Sequence, residues 1–314
     1  MTLQQLEYAL AVDTHRHFGK AADACFVTQA TLSAMIKKLE EELKVVLFDR
    51  RAHPILTTDS GKEILEEAKK VLAHSRILLD KASSIHDKIE GVINIGVIPT
   101  IASSLLPLIL AKLLKNYPLL RLNIREYTTT NIVSKLKSGD IDMGILATPL
   151  HDETLEEEVL YYESLAVYGE ISNRKDKKYL LPQELAQQKI WLLEEGHCLR
   201  AQTINLCQLE KHHQTPDNLI FEGSSFDTLM NMADSFGGLT LLPELYIGFL
   251  SEAQRSKILT FEPPVPVREI SIVFYRPYAK QRIIARLAKD ITALIAPLLQ
   301  TRDLHAKDMQ VIEI

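Results

Sequence analysis

The stretch Gly196-His197-Cys198-Leu199-Arg200-Ala201-Gln202-Thr203-Ile204-Asn205-Leu206-Cys207 carries two of the chain's three cysteines and is its most reactive-looking segment. Cys198 follows Gly196 at an expected helix start, with His197 and Arg200 beside it. A helix N-terminus and neighbouring cations favour the thiolate, so a reactive sulfur is expected there. If the segment is helical, the two sulfurs are separated by about 13.5 Å along the axis, whereas a disulfide needs Cα atoms roughly 4.4 to 6.8 Å apart. Helix and bridge therefore exclude each other. An oxidant that converted Cys198 to a sulfenic acid would let Cys207 condense with it only after the helix unwinds. The polar stretch from Gln208 to Asn218 could remodel without dismantling a core. Two other readings stand beside this one. The cysteines could be ordinary buried thiols. A metal site using His212 and His213 is the weaker alternative, because the spacing lacks the short Cys-x-x-Cys pair of zinc sites. Cys25, among small and apolar residues, is expected to pack in a core.

Two hydroxyls could complete such a site. Thr100 follows Pro99 at the end of an expected strand, and Thr129 follows the next strand. Either could hold a small polar ligand or simply cap the next helix.

The elements that must position these groups follow from periodicity. From Leu3 to Leu47 apolar residues recur at helical spacing, interrupted at His15–Gly19 and at Cys25–Gln29, giving three short helices. The middle one, Lys20 to Cys25, is rich in small residues, and Thr28 is a suitable N-cap for the third. That helix turns Leu32, Ile36, Leu39 and Leu43 inward and leaves Gln29, Thr31, Ser33, Ala34, Lys37 and Lys38 outside, a helix-turn-helix pattern. Val45–Phe48 and Pro54–Leu56 read as a wing carrying Arg50 and Arg51. A long helix is expected from about Thr58 to about Ile89, with Ile64, Ala68, Val71, Ser75, Leu78, Ala82, Ile85 and Ile89 at alternating spacings of four and three, the seam of a paired helix.

After Gly91 strands alternate with helices: strands at Val92–Ile98, Arg121–Tyr127 and Ile141–Leu146, helices at Ala102–Asn116 and Asn131–Ser138. That alternation predicts a parallel sheet. Further strands are expected at Tyr161–Tyr168, Lys189–Leu193, Asn218–Phe221, Leu239–Leu242 and Ile270–Tyr275, with helices at Phe226–Phe236 and Lys280–Leu299. Thr129-Thr130, a helix, Gly139 and a strand are echoed by Ser224-Ser225, a helix, Gly237-Gly238 and a strand, which suggests two similar lobes with a crevice between them.

Composition bounds the rest. With 314 residues, 46% of them hydrophobic and only three cysteines, the chain is a multidomain globular protein without a disulfide framework, expected in the cytoplasm. No signal peptide is expected, and the most apolar stretch, Leu105–Leu114, is interrupted by Pro107 and Lys112. The net charge of −5 argues against an overall polyanion binder, and Met1–Thr58 is itself neutral, with seven Lys or Arg against seven Asp or Glu. Nucleic-acid binding must therefore come from arrangement rather than charge.

The first 61 residues resemble the winged helix-turn-helix of LysR-type transcriptional regulators. The matching positions are Phe18, Ala21, Ala22, Thr28, Gln29, Leu32, Ser33, Ile36, Leu39, Glu40, Leu43, Leu47, Phe48, Arg50, Leu56, Thr57 and Gly61. Ala34 departs from the Arg common there. Within the family, Gly196-His197-Cys198-Leu199-Arg200 with Cys207 is similar to the redox segment of the hydrogen-peroxide sensors, as are Gly238-Leu239-Thr240-Leu241-Leu242-Pro243 and Tyr275-Arg276-Pro277. The resemblance implies an α/β chain with three parts. A winged helix-turn-helix would span 1–58 and a dimerising linker helix 59–90. A two-lobed regulatory domain of periplasmic-binding-protein type would span 91–314, with lobe I about 91–163 and 268–300 and lobe II about 164–267.

It further implies that Cys198 is the peroxidatic cysteine and Cys207 its resolving partner, with Thr100, Thr129, His197 and Arg200 around the peroxide. Ala201 departs from the Asp often found after the Arg, so a carboxylate that could assist proton transfer is missing. The expected partners are double-stranded DNA, hydrogen peroxide, RNA polymerase and further copies of the chain in a dimer of dimers, with no membrane, metal or organic cofactor. DNA contacts are expected from Thr28, Gln29, Thr31, Ser33, Lys37, Arg50 and Arg51. A metabolite-sensing regulator that uses the crevice is the alternative function, and a thiol peroxidase the enzymatic one.

Overall fold

A computed structural model describes residues 1–83, 89–171, 179–207, 221, 223–275 and 280–313. Two compact units divide the chain, one within residues 1–88 and one built on Ile89–Arg276 and Gln281–Ile314.

In the first unit α1 (Leu3–His15), α2 (Phe18–Ala24) and α3 (Gln29–Leu43) enclose a core that includes Leu6, Val12, Phe18, Ala21, Leu32, Ile36 and Leu39. Arg16 ends α1 in the left-handed region, and the imidazole of His17 then caps α2 by accepting from Gly19 N and Lys20 N. Thr28 caps α3 through its hydroxyl, which accepts from Thr31 N at 3.1 Å. Cys25 is half-buried and packs against this core. The wing is shorter than the sequence suggests, with β1 (Phe48–Asp49) pairing antiparallel to β2 (Leu56–Thr57).

The next helix, α4 (Asp59–Ser83), starts where the Thr58 hydroxyl accepts from Gly61 N at 2.9 Å. A Cβ on Gly61 would lie 2.4 Å from the Leu47 carbonyl oxygen, so the wing and α4 meet only because residue 61 has none. Ile89, expected as the last residue of this helix, lies outside it, and residues 84–88 fall outside the described residues. The seam also divides. Leu65, Ala68 and Leu72 are buried in the domain's own core, while Val71 and Leu78 on a neighbouring face are 41% and 70% exposed. Leu65 and Leu72 are absent from the predicted seam, because an apolar stripe one residue off it is the one that packs inward.

The second unit opens with β3 (Gly91–Val97), α5 (Pro99–Asn116), β4 (Leu120–Glu126), α6 (Thr129–Ser138) and β5 (Met143–Thr148). Strands β4, β3 and β5 are parallel, as the alternation predicts. The sheet is nonetheless mixed. The 15-residue β6 (Leu155–Gly169) and β10 (Val265–Tyr275) run antiparallel to each other, and β10 runs antiparallel to β5. Strand β6 pairs with β10 through residues 155–164 and then with β8 (Leu239–Pro243) and β9 (Ile258–Phe261), passing from one half of the unit into the other. A small strand β7 (Tyr179–Leu180) extends β9.

The second half holds α7 (Cys198–Cys207), α8 (Phe226–Phe236) and the short α9 (Glu244–Ile247) and α10 (Glu252–Arg255). The predicted strand Lys189–Leu193 reduces to single bridges, Ile190 to Leu239 and Leu193 to Gly223. Most of the predicted strand Asn218–Phe221, like His212 and His213, lies outside the described residues. The chain closes with α11 (Gln281–Ile295), 3-10 turns where a longer helix was expected, and β11 (Met309–Val311), parallel to β10. Gly139 ends α6 and Gly237 ends α8, each with positive φ and each leading to a strand, so the echo in the sequence is an echo in structure. No helix among the described residues is long and apolar enough to cross a membrane.

Candidate functional site

All three cysteines are free thiols, and both members of the 198/207 pair are buried. Gly196 takes φ of +92°, a conformation L side chains rarely adopt, and so turns the chain into α7 immediately before His197 and Cys198. Cys198 opens the helix and is only 4% exposed, with its sulfur in hydrogen-bond contact with the Thr129 hydroxyl at the first residue of α6.

The surroundings of this sulfur correct one expectation. Burial pushes the Cys198 thiol above its ordinary value, and the Thr129 hydroxyl and the positive charge of Arg268 offset this only in part. The sequence neighbours do not supply the charge. Arg200 donates through Nη1 to the Leu193 carbonyl at 2.7 Å, and the His197 ring, itself buried, has Nε2 3.4 Å from Glu194 Oε1. Both side chains hold the loop before α7. The cation that acts on the sulfur comes from β10.

That cation, Arg268, is fully buried and pairs with Glu163 on β6, Nε to Oε1 at 2.7 Å. It also donates to the Thr100 carbonyl at 3.1 Å and to the Thr100 hydroxyl at 3.2 Å. Neither Thr100 nor Thr129 is an N-cap, since Ile98 holds that position for α5 and Thr128 for α6. One is held by the buried arginine and the other touches the sulfur. Arg268 and Glu163 were missed from sequence, although each interrupts an apolar strand (Val267, Ile270 and Ile272 around one, Tyr161 and Leu165 around the other), and a charge in such a place needs a partner.

Cys207, at the other end of α7, is fully buried in an apolar core with Leu199, Leu206, Trp191 and Phe226. Burial alone pushes its thiol up to about 12. A cavity of about 390 Å³ is lined by Thr100, Ser103, Glu126, Ser225 and Asp227 among others, so it reaches the Thr100 side of the site. No group of three or more His, Cys, Asp or Glu among the described residues could hold a metal ion.

In the first unit, Gln29 and Thr31 are exposed on the first turn of α3, and the Thr28 and Thr31 hydroxyls lie 2.9 Å apart. Lys37 is exposed and pairs with Glu41 at 3.7 Å. Arg51 is exposed in the wing. Arg50 differs, because its guanidinium binds Glu40 at 2.8 Å, donates to Ser33 Oγ at 3.3 Å and lies over the Phe18 ring. Glu40 also accepts from Leu47 N at 2.8 Å, so Arg50 braces the wing against α3.

Known proteins share both units. Residues 3–62 match the bacterial regulatory helix-turn-helix protein family, lysR type, and residues 86–291 match the LysR substrate binding domain. The hydrogen peroxide-inducible genes activator of Pectobacterium carotovorum is 36% identical over 279 residues, covering 88% of this chain and 91% of that protein. The DNA-binding transcriptional dual regulator OxyR of Escherichia coli is also 36% identical, over 88% of this chain and 90% of that protein. A full-length OxyR from Pseudomonas aeruginosa with a Cys-to-Asp substitution superposes with a TM-score of 0.76 at 30% identity, covering 93% of this chain and 94% of that one. A hydrogen-peroxide-bound Cys-to-Ser variant of OxyR from Corynebacterium glutamicum gives 0.62 at 26% identity, covering 98% and 97%. On this likeness across both units, the chain belongs to the LysR family of transcriptional regulators, in the group of hydrogen peroxide-inducible genes activators.

Proposed function

We propose that this chain is a peroxide-responsive transcriptional regulator in which α7 is the switch. The observation that carries the reading is that the helix begins and ends on a thiol, with the first sulfur against the Thr129 hydroxyl and within the field of Arg268. The Cys198 thiolate attacks one oxygen of hydrogen peroxide, the O–O bond breaks, and the second oxygen takes a proton and leaves as water. Cys198 is thereby oxidised to a sulfenic acid. Cys207, deprotonated, attacks that sulfur and expels the hydroxyl as a second water, closing a disulfide. Nine residues of helix cannot span a disulfide, so α7 unwinds as the bond forms. The Thr129 hydroxyl donates to the reacting sulfur. Thr100, held by Arg268, lines the peroxide side, and His197 and Arg200 position the loop that presents Cys198.

Two copies paired through the exposed Val71 and Leu78 face of α4 would set two recognition helices on successive major grooves, about 34 Å apart. Thr28, Gln29, Thr31 and Ser33 would then lie nearest base edges, with Lys37 and Arg51 nearest phosphates and Arg50 behind them. Two such dimers, acting with RNA polymerase in the cytoplasm, complete the proposed assembly, which activates transcription and needs neither metal nor organic cofactor. Peroxide serves as a signal and not as the substrate of an enzyme. To test this reading, genomic fragments bound by the full chain are compared with and without hydrogen peroxide. The bound set should change for the natural sequence and stay fixed for Cys198→Ser, and a natural chain indifferent to peroxide would refute the reading.

A further inference from the structure

Phe26 occupies the turn between α2 and α3, and it is 96% exposed, more than any other large apolar side chain among the described residues. Its φ of +55° lies in the left-handed region, which glycine or asparagine enters readily and an aromatic residue does not. The turn fixes that backbone. Phe26 N donates to Asp23 O at 3.2 Å and Val27 N to Ala22 O at 3.0 Å. Cys25 and Val27 on either side pack against the domain core, while Phe26 does not. The fold thus bears a strained backbone and a solvated ring at one position, and a glycine would serve the turn better. Strain of that kind points to a use outside the fold.

The use follows from position. Phe26 lies two residues before Thr28, the cap of α3, and within three residues of it in the chain Asp23, Ala24, Thr28 and Gln29 are exposed as well. One ring among small and polar neighbours is too little apolar surface for a protein interface. It suffices for a single methyl group in a DNA groove, where thymine alone presents a 5-methyl beside its polar edge.

We propose that Phe26 is a specificity-determining residue that reads a thymine at the edge of each half-site by packing its ring on the 5-methyl group. This rests on the DNA-binding reading above and adds to it a contact that hydrogen-bonding side chains cannot make. The test uses duplexes selected from a randomised pool by the full chain, then resynthesised with uracil replacing thymine one position at a time. The natural sequence should lose affinity at one thymine per half-site, about fourfold for the burial of one methyl-sized group. Phe26→Ala should bind the thymine duplex about as weakly as the natural chain binds that uracil duplex, with no further loss on the uracil duplex. Phe26→Gly should melt at a higher temperature than the natural chain yet bind like Phe26→Ala, an outcome a structural role for the ring would reverse. Additive losses, unchanged affinity for Phe26→Ala, or indifference of the natural chain to uracil at every position would each overturn the proposal. A natural chain that selects no sequence would overturn the DNA-binding reading itself, and the proposal with it.

Discussion

The two ends of α7 are both buried and both carry a thiol, yet they are different chemical places. At Cys198 burial raises the thiol, but a hydroxyl and a buried arginine pull against it. At Cys207 nothing opposes burial, and the thiol rises to about 12 among leucines and aromatics. The difference sets the order of events. Charge can form on Cys198 while α7 is intact, whereas Cys207 becomes a competent nucleophile only once it leaves its core. In the proposed switch the helix therefore acts as a lock on the second step, and oxidation of Cys198 opens it.

Cysteine substitutions test that asymmetry with the largest effects. Cys198→Ser should abolish oxidation by stoichiometric peroxide, read as retention of the remaining thiols by mass spectrometry. Cys207→Ser should keep the rate of the first step within a few-fold and stop at the sulfenic acid, which a thiol-trapping reagent captures before it oxidises further. If Cys207→Ser slowed the first step as severely as Cys198→Ser, the two ends would not be chemically distinct.

The pH dependence is next in size. Because the Cys198 thiol is raised, the thiolate is a minor species near neutrality, and its amount grows about tenfold per pH unit until pH reaches the raised value. The oxidation rate of the reduced chain, followed by rapid mixing, should climb in that proportion from pH 7 to 8. A rate already level over that interval would mean that the thiolate is preformed and that burial does not prevail.

How much of this was legible in the sequence differs from group to group. The cap at Thr28, the inward Leu32, Ile36 and Leu39, helix Phe226–Phe236 and the spacing of the two thiols are local features, and local rules recovered them. The sign of the Cys198 shift was not recovered, because His197 and Arg200 adjoin it in the chain but bind Glu194 and the Leu193 carbonyl in space. The cation that acts there, Arg268, meets Glu163 across 105 residues and two antiparallel strands. A pattern that predicts a parallel sheet gives no register for those strands. The buried stripe of α4 failed for a related reason, since two apolar stripes share that helix and spacing alone does not say which one faces the domain.

A change no larger than the pH effect concerns the hydroxyl that partners Cys198. Thr129→Val removes its contact with the sulfur while keeping the side chain's shape, so less thiolate forms and the first oxidation step should slow by on the order of tenfold, the worth of one hydrogen bond to a charged sulfur. The reactivity of Cys207 in the unfolded chain should not change. Equal rates for Thr129→Val and the natural chain, measured by peroxide consumption under single-turnover conditions, would remove this hydroxyl from the chemistry.

The most direct measurement is to titrate the reduced full chain with hydrogen peroxide, map its disulfides by mass spectrometry and follow amide hydrogen exchange across Cys198–Cys207 in the same samples. One equivalent should yield a single Cys198–Cys207 link and loss of amide protection throughout α7. No link, or a link formed while α7 keeps its protection, would contradict the account.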